Sequence, residues 1–480
     1  MNDAAMKYDL VVGLEIHVQM NTLSKAFCAE RNAFGAAPNT QVGVVSLAYP
    51  GSLPVPNQKH MEKAIRLGLA LDSTIAPAVY FDRKNYFYPD LPKGYQITQD
   101  AMPICKGGFL YLANAGRKVR IHHVHMEEDA GKLIHDQDPD DTLIDLNRAG
   151  VPLLEIVTEP DLFSPEEVYE FITEIQQLVR YLDVSDGNME EGSLRCDCNV
   201  SVKPAGSTTL GQRCEIKNVN SRRFARQAVE AEFERQIKLL GEGGVIRQQT
   251  LHFDKDRRLT IPMRSKEEAH DYRYFPDPDL PPYPVTKEAV DRIRQEMPAL
   301  PWEIKETLQQ EYQLSEEDAS NIAGHLHDAT FYLRIADALP IKHRRIWTDL
   351  FIHKIKPMDT GETFPLSENQ LIGLISWIGD EKINRTVAFS TLWDAWLETP
   401  DHTLEVMAQA LNIVQTDDED FLKDLIRDAF RQFPDKAAAL KNGKKNLIGL
   451  FMGEVMRTSG GKAHPQRTRQ LIENLIQELE

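Results

Sequence analysis

The sequence predicts an α+β domain followed by all-helical material, and three features of the chain predict it. Twenty of the 27 prolines lie in residues 1–300 and seven in 301–480. All five cysteines (Cys28, Cys105, Cys196, Cys198, Cys214) fall in the first part, and all five tryptophans (Trp302, Trp347, Trp377, Trp393, Trp396) in the second. Apolar residues alternate through stretches of the first part, as half-buried strands require. From about residue 287 they recur at three and four, as helices require. A length of 480 residues corresponds to roughly three domains at about 150 residues each.

Composition narrows the classes. With 42% hydrophobic and 27% charged residues, the chain has cores to bury and is not disordered throughout. No apolar run approaches the ~18 residues of a bilayer span, so no membrane is expected. MNDAAMKYDL shows no basic stretch leading into an apolar one. Few cysteines point to a reducing, cytoplasmic setting. The net charge of −18 argues against a surface that coats nucleic acid everywhere. It leaves room for a local basic face, and it suits carboxylates that hold divalent cations.

VVGLEIHV (11–18) reads as a strand with Glu15 and His17 on one face. Backbones two residues apart are roughly 6.6–7 Å apart, so both side chains can reach one ion, although from this segment alone a polar face turned to solvent is the better reading. FDRKNYFYPDLPKGY (81–95) alternates Arg83, Lys84 and Lys93 with aromatic rings. Such a mix can stack a base and neutralise phosphate, or be a Pro-rich loop packed on the sheet. HHVH (122–125) tempts a zinc assignment, but only His123 and His125 share a face, and ordinary sheet residues explain them better. HMEEDAGK (125–132) brings Glu127, Glu128 and Asp129 to a strand end. LLEIVTE (153–159) sets Glu155 in apolar surroundings, where a carboxylate is costly unless paired or metal-bound.

SPEEVYEFITEIQQLVRYL (164–182) is a helix with Ser164 as N-cap, Pro165 first and Glu167 closing a capping box. EGSLRCDCNVSV (191–202) alternates without error. Leu194, Cys196, Cys198, Val200 and Val202 face one way; Ser193, Arg195, Asp197, Asn199 and Ser201 face the other. The cysteines look like core residues, and the Asp197–Asn199 face beside Arg195 suits Mg²⁺ and phosphate. A second helix runs from about Arg222 to Leu240 and stops at Gly241. HDYRYFPDPDLPPYP (270–284) cannot be helical and is expected to lead out of the first domain. Another break falls at Glu398–Asp401. Residues 435–470 reverse the overall charge, with eight Lys or Arg against two acids, so RNA backbone contact is expected there. No P-loop, GxGxxG, nucleophile elbow or Ser-Ser-Lys amidase signature occurs.

Taken together, VVGLEIHV, LAYPGSLPVPN (47–57), FDRKNYFYPDLPKGYQIT (81–98), HMEEDAGK, DLNRAGVPLLEIVTEPD (145–161), MEEGSLRCDCNVSV (189–202), EIKNVNS (215–221) and DYRYFPDPDLPP (271–282) stand in order. Their run resembles the B-subunit family of the bacterial aspartyl/glutamyl-tRNA(Asn/Gln) amidotransferases. NGKKNLIGLFMGEVMRTSGGKAHPQ (442–466) looks like that family's C-terminal tail. The resemblance implies a glutamine-synthetase-like cradle on a mostly antiparallel sheet (1–293), a helical domain (294–403) and a small helical tail that binds tRNA (404–480). It implies a heterotrimer with an A subunit that releases ammonia from glutamine and a C subunit. It also implies ATP and Mg²⁺, used to phosphorylate the side-chain carboxylate of Glu or Asp misacylated on tRNA(Gln) or tRNA(Asn).

Carried to matching positions, His17, Glu128 and Glu155 look like metal ligands, with Glu15 and Asp197 as further acidic members. Only local strand phase separates Glu128 from Glu127. Lys84, Tyr86, Tyr88 and Arg195 would face the nucleotide; Lys441, Lys444, Lys445 and Lys462 would face tRNA. Many relatives carry cysteine pairs around the loop that here holds Cys28 alone, so no structural zinc is expected and packing must hold that loop. Without the resemblance, the same residues would also suit a metal-dependent phosphohydrolase or a tRNA-binding scaffold.

Overall fold

The computed structural model describes residues 7–263, 271–358, 364–416 and 418–478. It divides into two units, Met1–Pro301 and Trp302–Glu480. Along the first run strands β1 (Tyr8–Gln19), β2 (Asp82–Asn85), β3 (Tyr95–Thr98), β4 (Arg117–Glu128), β5 (Pro152–Thr158), β6 (Leu194–Pro204), β7 (Cys214–Val219), β8 (Thr250–Asp254), β9 (Leu259–Pro262) and β10 (Phe275–Pro276). The main sheet is ordered β9-β8-β7-β6-β1-β5-β4 and continues past β4 through Cys105–Lys106 and Thr74–Ile75. Its pairings are antiparallel except β7 with β8. β10, β2 and β3 form a smaller sheet in that order.

Period-two alternation decides what each face of the main sheet carries. From β1, Leu10, Val12, Leu14, Ile16 and Val18 enter the core, joined by Leu154 and Ile156 of β5 and Leu194, Cys196, Cys198 and Val200 of β6. Cys196 and Cys198 are buried core residues, as their register predicts. The same core takes in the apolar stripes of helices α1 (Gln58–Ala70), α2 (Pro165–Tyr181) and α3 (Arg222–Gly241). The opposite face of β1, β5 and β6 carries the acids.

The expected α2 forms, with the Ser164 hydroxyl accepting from Glu167 N–H at 3.1 Å. The capping box does not close. The Glu167 carboxylate instead accepts from the amide of Phe163, one residue before the N-cap, at 2.8 Å and from Arg117 at 2.8 Å, a charge-assisted pair that draws it away from the Ser164 amide.

The Pro-rich segment also differs from expectation. Of its residues 271–284 are described, and they do not lead out of the unit but strap back onto it. Phe275–Pro276 pairs with β2, and Tyr283–Pro284 pairs with Ala78–Val79. Arg83 holds the strap, donating from Nε to Asp277 at 2.9 Å and from Nη2 to Asp279 at 2.7 Å while its guanidinium lies 4.1 Å from the Tyr95 ring centre. The loop around Cys28 is tied down by hydrogen bonds rather than by packing alone: Asn39 N–H donates to Asp145, and Asn147 donates to Ala37 O at 2.7 Å.

One close approach gives a direct stability test. A Cβ on Gly68 of α1 would lie 2.3 Å from Cys105 Sγ and 2.9 Å from Ile75 Cδ1. Gly68→Ala should therefore lose about 1–3 kcal/mol by overpacking, despite alanine's better helix propensity. Denaturant unfolding would show it; an unchanged or raised stability would mean that the neighbouring side chains yield.

Among the described residues the regular structure of the second unit is helical apart from two isolated bridges, Ile383 with Val414 and Thr416 with Ala463. Trp347, Trp393 and Trp396 are buried, and Trp347 stacks on Tyr332 with ring centres 5.9 Å apart. A helix ends at Glu398 and the next begins at Leu404, at the expected break. Residues Leu422 to Ile476 contribute a separate apolar cluster centred on Ile426, Phe430, Phe451 and Ile472. Among the described residues no helix is long and apolar enough to cross a membrane.

Candidate active site

β1 is the axis of the site because it is paired on both sides by strands that carry acids. His17 stands opposite Glu155 of β5 and Arg195 of β6; Glu15 stands opposite Asp197 of β6. β4 lies beyond β5, with His125 opposite Glu155 and Glu127 opposite Leu153. A cleft of about 160 Å³ opens here, lined among others by His17, Lys84, Tyr86, Glu127, Asp129, Glu155, Arg195, Asp197 and Asn218.

The acids gather into two groups. In the first, His17 Nε2 lies 3.3 Å from Glu155 Oε2 and 3.6 Å from Glu127 Oε1. His125 Nε2 is 3.3 Å from the same Glu155 oxygen and 3.6 Å from Glu127 Oε2. In the second, Glu15, Asp197 and Glu215 bring one carboxylate oxygen each to within 4.8 Å of one another. Such crowding is costly for bare anions and suits a divalent cation.

The titration behaviour follows from that crowding. Burial and the charges of Glu155, Glu215 and Asp197 push the Glu15 carboxyl up, against a lowering hydrogen bond from Asn199. Burial disfavours the charged form of His17, yet the hydrogen bond and charge of Glu155, helped by Glu127, outweigh it and hold its pKa at about 9. Glu155 is likewise drawn below the ordinary carboxylate range, because His17, His125 and Lys84 overcome its burial. Imidazoles and a lysine thus balance the negative charge of the first group.

Backbone irregularity places Asp197. Pairing between β6 and β7 shifts register between Cys196 and Cys198, so β7 carries an extra residue and bends. Asn218 there adopts φ +56°, and its N–H donates to Asp197 Oδ1 at 2.7 Å. Lys217 reaches Asp197 at 3.5 Å and Glu215 at 2.8 Å. Arg195 donates to Asp129 at 2.8 Å, which with Arg148 keeps that buried carboxylate low despite its burial.

Comparison with known proteins decides what this site belongs to. Residues 10–291 match the model described as the GatB/GatE catalytic domain, and residues 345–476 match the GatB domain. The B subunit of the aspartyl/glutamyl-tRNA(Asn/Gln) amidotransferase of Thermoanaerobacter pseudethanolicus is 43% identical over 474 residues, covering 97% of this chain and 99% of the relative. The proteins of the same name from Thermodesulfovibrio yellowstonii and Halorhodospira halophila are each 42% identical. They cover 98% of this chain and, respectively, 100% and 99% of their own lengths. The chain belongs to the GatB family of amidotransferase B subunits.

In this GatB chain the structure brings His17, Glu155, Asp197, Arg195, Lys84 and Tyr86 to one cleft, with Glu15 in the adjoining acidic group. It does not bring Glu128 there. Glu128 has the opposite strand phase from His125, and its buried carboxylate pairs with Lys93 and accepts from Ile97 N–H at 3.0 Å. Glu127 takes the place beside His17. Tyr88 does not line the cleft; it is 45% exposed and stands beyond Tyr86. Lys441, Lys444 and Lys445 are exposed in the second unit, and Lys462 is half-buried there.

Sequence reasoning missed Glu215 and Asn218 as neighbours of the site, and it named Asp129 without giving it a role there. Glu127 was within reach of counting, since it shares the parity of His125 and thus the face of Glu155. Glu215 was not, because the pairing of β7 with β6 crosses a bulge that alternation does not announce.

Proposed function

We propose that this chain is the kinase and transamidase subunit of a tRNA-dependent amidotransferase working with a glutaminase A subunit and a C subunit. In this reading ATP transfers its γ-phosphoryl to the side-chain carboxylate of Glu or Asp misacylated on tRNA(Gln) or tRNA(Asn), releasing ADP. Ammonia then attacks the acyl carbon, phosphate leaves, and a proton is lost, giving Gln-tRNA(Gln) or Asn-tRNA(Asn). The observation that carries the reading is the pair of acidic groups set side by side on β1.

The donor sets fit divalent cations: one imidazole with two carboxylates at His17, Glu127 and Glu155, and three carboxylates at Glu15, Asp197 and Glu215. When bound, Mg²⁺ would neutralise the phosphates and the charge developing during transfer. The chain's own groups do the rest. Lys84 lines the cleft and offers a point charge. Arg195 Nε is buried without a hydrogen-bond partner, a donor that an anionic oxygen can satisfy. Asn218 N–H and Gln19, which donates to Asp129 at 2.7 Å, fix the surrounding carboxylates. No amidase signature is present, which agrees with ammonia arriving from a partner. We assign the tail, 404–480, with its basic stretch 435–470, to tRNA binding, together with the helical domain 294–403.

The decisive experiment is reconstitution with A and C subunits, measuring ATP-dependent amidation of each misacylated tRNA in turn; absence of amidation of both refutes the reading. Ligand choice is tested separately. Glu127→Gln should weaken divalent-ion binding to the full chain by about a hundredfold in calorimetric titration, whereas Glu128→Gln should change it by less than about threefold. Equal losses in both variants would remove Glu127 from the ion site.

A further inference from the structure

Beside the acidic cleft stands a row of aromatic rings that the chemistry above does not use. Tyr86 forms part of the cleft wall. Tyr88 and Tyr272 pack edge-on to it, each with ring centres 6.2 Å away, and Tyr274 follows Tyr272 at 6.1 Å. Lys84 Nζ lies 4.8 Å from the centre of the Tyr272 ring. The row is built from two distant parts of the chain. Tyr86 and Tyr88 follow β2, while Tyr272 and Tyr274 precede β10, which pairs with β2. Its ends are open: Tyr88 is 45% and Tyr274 40% exposed, and the adjacent Phe87 and Phe275 are 79% and 43% exposed.

Resting on the function proposed above, we propose that this aromatic row stacks the unpaired 3′-terminal bases of the aminoacyl-tRNA whose side chain is amidated in the cleft. Three arguments carry it. The reacting carboxylate is joined through an ester to the terminal ribose, so the last bases must lie at the mouth of the cleft that admits the amino acid. A mouth lined by carboxylates repels a polyanion, and the nearby Arg83 is already committed to Asp277 and Asp279. Stacking on neutral rings needs no positive charge and accepts any base. Finally, four rings in succession exceed what one base needs, and they offer consecutive places, as in proteins that hold single strands on aromatic side chains. A single adenine, that of ATP, is the competing occupant.

The test uses an RNA hairpin ending in unpaired CCA with 2-aminopurine in place of the terminal adenine, whose fluorescence is quenched on stacking. Binding to the assembled complex should quench it, and a saturating excess of ATP should not restore the signal. Tyr274→Leu should weaken hairpin binding about tenfold and raise KM for aminoacyl-tRNA to match, with KM for ATP unchanged. Tyr274→Phe should behave as wild type, and Tyr88→Leu should also reduce the quench. Recovery of fluorescence on adding ATP would assign the row to the nucleotide and overturn the proposal. So would a Tyr274→Leu variant with unaltered quench and KM. If the wild-type complex amidates tRNA while the Leu variants bind normally, the row alone has failed; a wild-type complex that amidates nothing refutes the functional reading itself.

Discussion

Glu155→Gln is expected to cut ATP-dependent amidation on the order of a thousandfold in kcat, with tRNA affinity changed by less than about twofold. Glu155 is the residue on which the first acidic group converges. One of its oxygens lies 3.3 Å from both His17 and His125, and its negative charge raises the pKa of His17 when no cation is bound. Gln preserves shape and one acceptor oxygen but removes the anion, so an ion bound there loses an anionic ligand. Steady-state amidation with the A and C subunits, paired with a filter-binding titration of tRNA, separates the two effects. A variant that keeps most of its Mg-ATP-dependent activity would refute the ion-site assignment. Equal loss of tRNA binding would favour a scaffold in which these acids are structural.

The tail makes the complementary prediction. Replacing Lys441, Lys444 and Lys445 together by Ala should weaken tRNA binding at least about tenfold and reduce the slope of log affinity against log salt by about three, one for each phosphate no longer neutralised. The kcat at saturating tRNA should be preserved. The three lysines are exposed and lie in and just after a helix that ends at Lys441, so removing them exposes no core. An unchanged salt slope would take these residues out of the RNA interface and leave the basic stretch as an ordinary solvated surface.

Much of the fold was legible because the relevant strands alternate cleanly. The register of 191–202 put both cysteines in the core and Arg195 and Asp197 on the working face, and β1 separated Glu15 and His17 from its apolar residues in the same way. What stayed hidden depends on how strands meet. Glu128 looked as eligible as Glu127 until the pairing of β4 with β5 put His125 opposite Glu155. Glu215 entered the second group only through a bulge. Glu167 left its expected capping role for Arg117, a partner 50 residues away. The Pro-rich segment broke helix as its prolines demand, but local sequence could not say that Arg83 would clasp it back. In each case a long-range partner decided between alternatives that short-range rules left level.

Glu15 and His17 are next-but-one neighbours on β1, and each anchors one acidic group. The offset between the two groups is therefore a single pleat of a strand held by hydrogen bonds on both flanks, and not the reach of any loop. Substrates can come and go, and surrounding segments can rearrange, while this ruler keeps its length. Under the function proposed above, two cations held by these groups would keep a spacing set by the covalent repeat of the polypeptide itself.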